Sequence, residues 1–247
     1  MLTSSHCSWT PALLLALSAA LAQPAAAQLN LPAANAENVA GTYTDLGAGG
    51  TAIATANQDD ANSAPQAIGF AFPFAGVAGG VSSFVLNTNG YLSLAGTAPS
   101  AANQFLTYAQ QETNTVVGPA NFPGGPLEGP DNFLVLPFAT DLTAATAGPA
   151  EYRYQTTGTA PNRVCTVQWK NVKDKPRASN STTPALVGKQ YENFSFQAKL
   201  YEGGQVEFVY GPATAGPGPD DYRTALVGLK GTGTADAVVA QRGSQRA

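Results

Sequence analysis

The chain predicts an all-β fold, an antiparallel jelly-roll-like β-sandwich of about ten to thirteen strands with little helix. Three observations carry that prediction. Between Tyr191 and Gly211 apolar and polar residues alternate with period two on either side of a glycine pair, the mark of a hairpin with one buried face. Charged residues make up 11% of the chain against a usual figure of about 25%, while glycine (26) and proline (18) are abundant, a composition of short strands and turns. Further alternating runs, bounded by Gly, Pro, Asn and Asp, recur along most of the length.

The first segment, Met1–Ala27, reads as an export signal. Pro11 to Ala22 is an apolar run of about a dozen residues, too short to span a bilayer, and Ala25-Ala26-Ala27 offers small residues for cleavage before Gln28. Residues 28–38 read as an irregular Ala/Asn/Pro leader, residues 39–242 as a single sandwich domain and residues 243–247 as a tail. No later stretch is apolar for long enough to cross a membrane as a helix.

Within the domain, Val39–Leu46 and Thr51–Thr55 read as a first strand pair around Gly47-Ala48-Gly49-Gly50. Gln66 to Phe74 puts Ile68, Phe70, Phe72 and Phe74 on one face. Val81–Asn87 and Tyr91–Ala95 flank Asn89-Gly90, a hairpin signal. Thr97 to Gly129 is the least regular part, with one short strand expected near Phe105–Tyr108. Asn132–Asp141 reads as a strand in which Pro137, which donates no hydrogen bond, demands an edge, an end or a bulge. Glu151–Thr156 places Tyr152 and Tyr154 on one face, and Arg163–Val172 places Cys165, Val167 and Trp169 on one face. Tyr222–Gly231 and Ala235–Arg242 close the fold.

Loop length sets the register of the Tyr191–Gly211 hairpin. A two-residue Gly203-Gly204 turn would set Leu200 opposite Glu207, whereas a three-residue loop, Glu202-Gly203-Gly204, sets Leu200 against Val206, Ala198 against Phe208 and Phe196 against Tyr210. The second matches apolar with apolar and leaves Gly204 for the left-handed position such loops need. It also faces Lys199 with Glu207, a pair expected in solvent and worth about 0.2–1 kcal/mol. The predicted core comprises Phe70, Phe72, Phe84, Leu136, Val167, Trp169, Phe196, Leu200 and Phe208.

Composition excludes several chemistries. The only histidine is His6, inside the signal, so the exported chain has no imidazole for a Ser-His-Asp triad or for zinc. Cys165 is its single cysteine, which allows no internal disulfide and predicts a buried thiol. A net charge of −4 provides no electrostatic footprint for nucleic acid or anionic lipid.

Five sets of candidate functional residues remain. Asn57-Gln58-Asp59-Asp60-Ala61-Asn62 is an oxygen-rich loop, read as a solvated turn or, with Asp59 and Asp60 as ligands, as a calcium site. Lys170, Lys173, Lys175 and Arg177 read as a small basic loop, either solvated or anion-binding. Asp141, Glu151, Glu192 and Glu207 are the carboxylates from which a glycoside hydrolase would draw its pair, about 5–10 Å apart. Tyr91, Tyr108 and Tyr191 are candidate platforms for a sugar. Asn180 and Asn193 match the N-glycosylation pattern.

Several motifs fall in one consistent order: Thr42-Tyr43, Asp59-Asp60, Ile68-Gly69-Phe70-Ala71-Phe72, Asn89-Gly90-Tyr91-Leu92-Ser93, Ala160 to Asn171, Phe196 to Glu202, Val209-Tyr210-Gly211 and Val227-Gly228-Leu229. In this order they resemble the N-terminal β-sandwich module of large secreted surface proteins of Bacteroidota, many of them exported by the type IX system. Val135 to Leu142 followed by Glu151-Tyr152-Arg153-Tyr154 is similar to nidogen-type extracellular domains. The resemblance implies an extracellular, non-catalytic module whose ligand is generally undefined, with no catalytic residues to carry over; the expected partner is an extracellular protein or glycan, and no cofactor is expected beyond the calcium candidate. Such proteins continue into fibronectin-like repeats and a C-terminal sorting domain, whereas this sequence ends at Ala247. A fragment or a stand-alone form is expected, periplasmic if no sorting domain follows. The expected function is a secreted or cell-surface adhesion-type module, with a carbohydrate-binding module and a glycoside hydrolase as alternatives.

Overall fold

The structure is a computed structural model that describes residues 37, 39–100, 129–175, 191–216, 225–233 and 236–241. The expected signal segment, the expected strand at Phe105–Tyr108, Arg177, Asn180 and nearly all of the expected leader lie outside these residues.

Twelve strands form among the described residues: β1 (Thr51–Ala52), β2 (Gln66–Phe72), β3 (Val81–Asn87), β4 (Tyr91–Ser93), β5 (Leu134–Ala139), β6 (Leu142–Ala144), β7 (Glu151–Thr157), β8 (Val164–Asp174), β9 (Tyr191–Tyr201), β10 (Val206–Ala215), β11 (Leu226–Lys230) and β12 (Ala237–Gln241). The helical content described is a 3-10 turn at Gly47–Gly49. Two six-stranded antiparallel sheets result, one ordered β1-β7-β8-β9-β10 with β6 also paired to β8, the other ordered β12-β11-β5-β4-β3-β2.

The sheets share one core, in which Phe72, Phe84, Leu92 and Val135 of the second sheet meet Val167, Trp169, Phe196 and Leu200 of the first. The Trp169 and Phe196 rings stack at 5.1 Å, and the Phe84 ring meets Tyr154 edge-on at 5.5 Å. Cys165 is free and buried in this core, which pushes its thiol pKa up to about 11. Leu136 is fully buried but points to the other side of the second sheet, into a smaller cluster with Tyr91, Leu134, Ala139 and Leu226.

The β9–β10 hairpin has the three-residue loop: Leu200 pairs with Val206, Lys199 with Glu207 and Ala198 with Phe208, and Gly204 has φ +94°. Pro137 is accommodated at a bulge, since the β5–β11 register shifts by one residue between Leu136 and Ala139. β6 has no counterpart among the expected strands; three residues are too few for alternation to register.

Two expectations about the first sheet are corrected together. Val39–Leu46 forms no strand. It runs as a strap over the outer face of β8, β9 and β10, because buried side-chain amides take the place of a strand partner for its backbone: Gln197 Nε2 donates to the Thr44 carbonyl at 2.6 Å, and Leu46 N–H donates to Gln168 Oε1 at 3.0 Å. The strap buries what alternation assigned to solvent. Gln168, Gln197 and Val209 are 0%, 1% and 2% exposed, and the Lys199–Glu207 pair, 3.4 Å apart, is half-buried with Tyr201 Oη also donating to Glu207. On the opposite face, Phe208 is only half-buried against the core and Tyr210 stands 45% exposed. The twist of a long edge strand carries its end away from the facing sheet.

Candidate functional site

Residues 57–62 are clamped to the end of the sandwich by contacts from three directions. Gln58 exchanges two hydrogen bonds with the backbone of Ala150, at 2.9 and 3.2 Å. Ala61 N–H donates to Thr88 Oγ1, and Thr88 N–H returns a bond to the Ala61 carbonyl, each at 2.9 Å. Asn87 Nδ2 donates to Asn62 Oδ1 at 2.6 Å. The loop is thus built into the fold and is not a free, solvated turn.

The turn that receives it, Thr88-Asn89-Gly90 between β3 and β4, is buried. Asn89 works in both directions: its Nδ2 donates to Asp60 Oδ1 and its Oδ1 accepts from Leu142 N–H, both at 2.9 Å. Gly90 has φ +80°, and a Cβ there would stand 2.1 Å from the Phe138 carbonyl oxygen, so only glycine lets β5 pass this close. Trp169 reaches the same turn from the core, its Nε1–H donating to the Asn87 carbonyl at 2.9 Å.

Pairing of β6 with the end of β8 adds the remaining members. Leu142 lies opposite Asp174, and Lys175 N–H donates to the Asp141 carbonyl at 3.0 Å, which brings the Asp141 and Lys175 side chains to the loop. One carboxylate oxygen from each of Asp59, Asp60 and Asp141 lies within 4.8 Å of the others. Lys175 Nζ stands 2.7 Å from Asp59, 3.5 Å from Asp141 and 3.9 Å from Asp60.

Burial pushes the Asp141 carboxyl up to about 6; Lys175 opposes that shift, while Asp60 and Asp59 add to it. Burial works against the Lys175 ammonium, but its pairing with Asp59, Asp141 and Asp60 outweighs this and holds its pKa above the usual lysine value. Sequence reasoning found Asp59 and Asp60 but treated Asp141 and Lys175 as members of other sets. No spacing signal could have joined residues so far apart.

The other candidates are dispersed. Glu151 pairs with Arg153 at 3.2 Å and Lys170 at 3.3 Å, and Glu207 pairs with Lys199. These two acids sit on β7 and β10, three strand spacings or about 14 Å apart, beyond the reach of a glycosidase pair. Glu192 lies on β9. The expected basic loop is not a patch: Lys170 lies on β8 and binds Asp45 at 2.8 Å, Lys173 donates to Thr146 Oγ1 at 2.8 Å, and Lys175 faces the three aspartates. Tyr91 is fully buried, and Tyr191 is half-buried with its ring stacked on Phe194 at 4.9 Å, so neither stands out as an open sugar platform. Tyr108 lies outside the described residues, and Asn193 lies within β9 with Nδ2 on Asn171 Oδ1 at 3.4 Å.

The family model described as NIDO related matches residues 35–247. The chain belongs to the nidogen-related family. No curated protein and no solved structure matches it. Membership accords with an extracellular, non-enzymatic type of module, and among the described residues no helix is long and apolar enough to cross a membrane. The aspartate–lysine cluster is therefore a feature of a nidogen-related domain, where it joins the 57–62 loop, the β5–β6 corner and the end of β8.

Proposed function

We propose that this nidogen-related domain is a secreted or cell-surface interaction module of adhesive type, without an active site. The observation that carries the reading is the family match across 35–247, which takes in every strand of the sandwich. The side chains support it. Asp141, Glu151 and Glu207, three of the four carboxylates from which a hydrolase could be built, each face a lysine, and Glu151 and Glu207 lie on strands too far apart to act as a pair. A sugar-binding face would need exposed rings. The aromatic ring that stands well out of the described surface is Tyr210, and its hydroxyl is engaged with the Pro137 carbonyl at 2.8 Å. The partner class favoured is an extracellular protein.

The test is a glycan array probed with the folded chain, with calcium and with chelator, beside a screen against extracellular proteins of the same source. Binding to a protein with a blank array is the expected result. Saturable binding to one sugar class, or release of reducing sugar from a polysaccharide panel, would overturn the reading.

A further inference from the structure

We propose that the outer face of the first sheet is a docking groove for a second copy of this chain, and that two molecules join by exchanging residues 41–46 of the strap. This self-association is independent of which outside partner the module binds.

The registers of β7 with β8, β8 with β9 and β9 with β10 set Arg153, Gln168, Gln197 and Val209 side by side, one from each strand, in a row that crosses the outer face. The strap and the turn that follows it run along this row. A Cβ at Gly41 would lie 3.6 Å from the Val209 methyls, the Thr44 carbonyl accepts from Gln197, Leu46 N–H donates to Gln168, and the Gly50 carbonyl accepts from Arg153 at 3.0 Å. The sheet thus holds a segment by side-chain amides on its face, without spending a strand edge.

Two properties make the strap separable. Val209 is the one apolar member of the row, and the same face carries Lys170, Ser195 and Lys199, so a bare row can be hydrated and lifting the strap uncovers no apolar core. The strap also precedes all twelve strands and enters the sandwich through the Gly47–Gly49 turn, in which Ala48 and Gly49 are exposed. It lifts without threading the chain, and unwinding the turn from about 2.0 to about 3.3 Å per residue lengthens its reach.

The occupant is set by what the groove fits. The Tyr43 ring lies over Gly211, where a Cβ would stand 2.8 Å from it, and Asp45 takes Lys170 Nζ at 2.8 Å and Gln168 Nε2 at 2.9 Å. An aromatic residue over a glycine, with an acid two positions on beside a lysine, is a demanding pattern, and a second copy carries it at every position. Exchange remakes each of these contacts between chains, so concentration decides the balance between the two forms.

Cysteine trapping tests this on the full chain in a Cys7→Ser background, Cys165 being buried. Gly41→Cys and Val209→Cys, purified separately, are mixed at high concentration and oxidised. A mixed disulfide dimer is expected, because the Val209 side chain is 2% exposed and a strap cysteine reaches it from within the groove. Ala48→Cys, on the turn above the β7 end of the row and three strand spacings or about 14 Å from β10, should give none with Val209→Cys. Sedimentation equilibrium supplies the second readout. Wild type should show a dimer that grows with concentration, while the double variant Gly41→Cys/Val209→Cys, oxidised when dilute so that each strap is locked to its own chain, stays monomeric. A wild type that is monomeric throughout, a locked variant that dimerises as wild type does, or equal yields from Ala48→Cys and Gly41→Cys would overturn the proposal. So would modification of Val209→Cys by a bulky thiol reagent without mixed dimer, since the strap would then lift for a different occupant.

Discussion

Replacing Gly90 by alanine asks how much of the fold rests on the close passage of β5 over the β3–β4 turn, and the chain supplies its own control. Gly90 and Gly79 have nearly the same left-handed backbone, φ +80° and +79°, but a Cβ at Gly79 would meet nothing within 4 Å, whereas one at Gly90 would meet the Phe138 carbonyl oxygen at 2.1 Å and its carbon at 2.9 Å. Backbone strain alone costs an alanine about 1–2 kcal/mol, partly offset by the lower entropy of the unfolded chain. Gly79→Ala should therefore lose about 1 kcal/mol. Gly90→Ala carries the same strain and must also push a strand backbone aside, an overpacking cost of about 1–3 kcal/mol or more. The expected difference between the variants is about 2 kcal/mol, or about 1 M in urea midpoint for a slope of about 2 kcal/mol per molar. Equilibrium unfolding followed by Trp169 fluorescence measures it. Coincident midpoints for the two variants would refute the claim that the turn and β5 are held in contact.

Three further outcomes follow from the same geometry. Trp169→Ala removes a fully buried ring, its stack on Phe196 and its bond to the Asn87 carbonyl, and should cost about 3–5 kcal/mol in chemical denaturation. Gln168→Ala strips Leu46 N–H of its acceptor and Gln197 Nε2 of one of its two, and should cost about 1–3 kcal/mol, with amide exchange at Leu46 rising well above that of the β8 amides. Asp45, which the Lys170 ammonium chiefly holds at a pKa of about 2, contributes stability above its unfolded value near 4 that is lost as pH falls through 2. The unfolding free energy of wild type should accordingly fall more steeply between pH 4 and 2 than that of Asp45→Asn, by less than about 1 kcal/mol because solvent screens a pair whose side chains are 26% and 41% exposed.

Period-two alternation was enough for the strands that bury one face. β2, β8 and the β9–β10 register were legible because Phe70, Phe72, Val167, Trp169, Phe196 and Leu200 leave one arrangement in which apolar residues meet. It failed where a second layer lies on the other face. Gln168 and Gln197 read as solvent positions, yet they are buried because the strap binds their amides, and side-chain-to-backbone bonds across more than a hundred residues leave no periodic trace. The strap itself looked like a strand because Val39–Leu46 has strand-like composition, and composition does not say whether the partner is a ladder or a pair of glutamines. The acidic cluster was half legible for a similar reason. Adjacent Asp59 and Asp60 are visible in one loop, but Asp141 and Lys175 arrive through β6, a strand of three residues.

The motifs by which the chain resembles extracellular modules take on a physical meaning once they are placed. Asp59-Asp60, Asn89-Gly90 and Trp169 come from separate stretches, and they converge at one end of the sandwich: Asp60 on Asn89, Asn89 on Leu142 N–H, Gly90 beneath Phe138 and Trp169 on the carbonyl of Asn87. Each contact satisfies a buried polar group or permits a close backbone approach, so together they fix the end of a fold whose one described cysteine, Cys165, is free and forms no disulfide. A motif of this kind specifies architecture first.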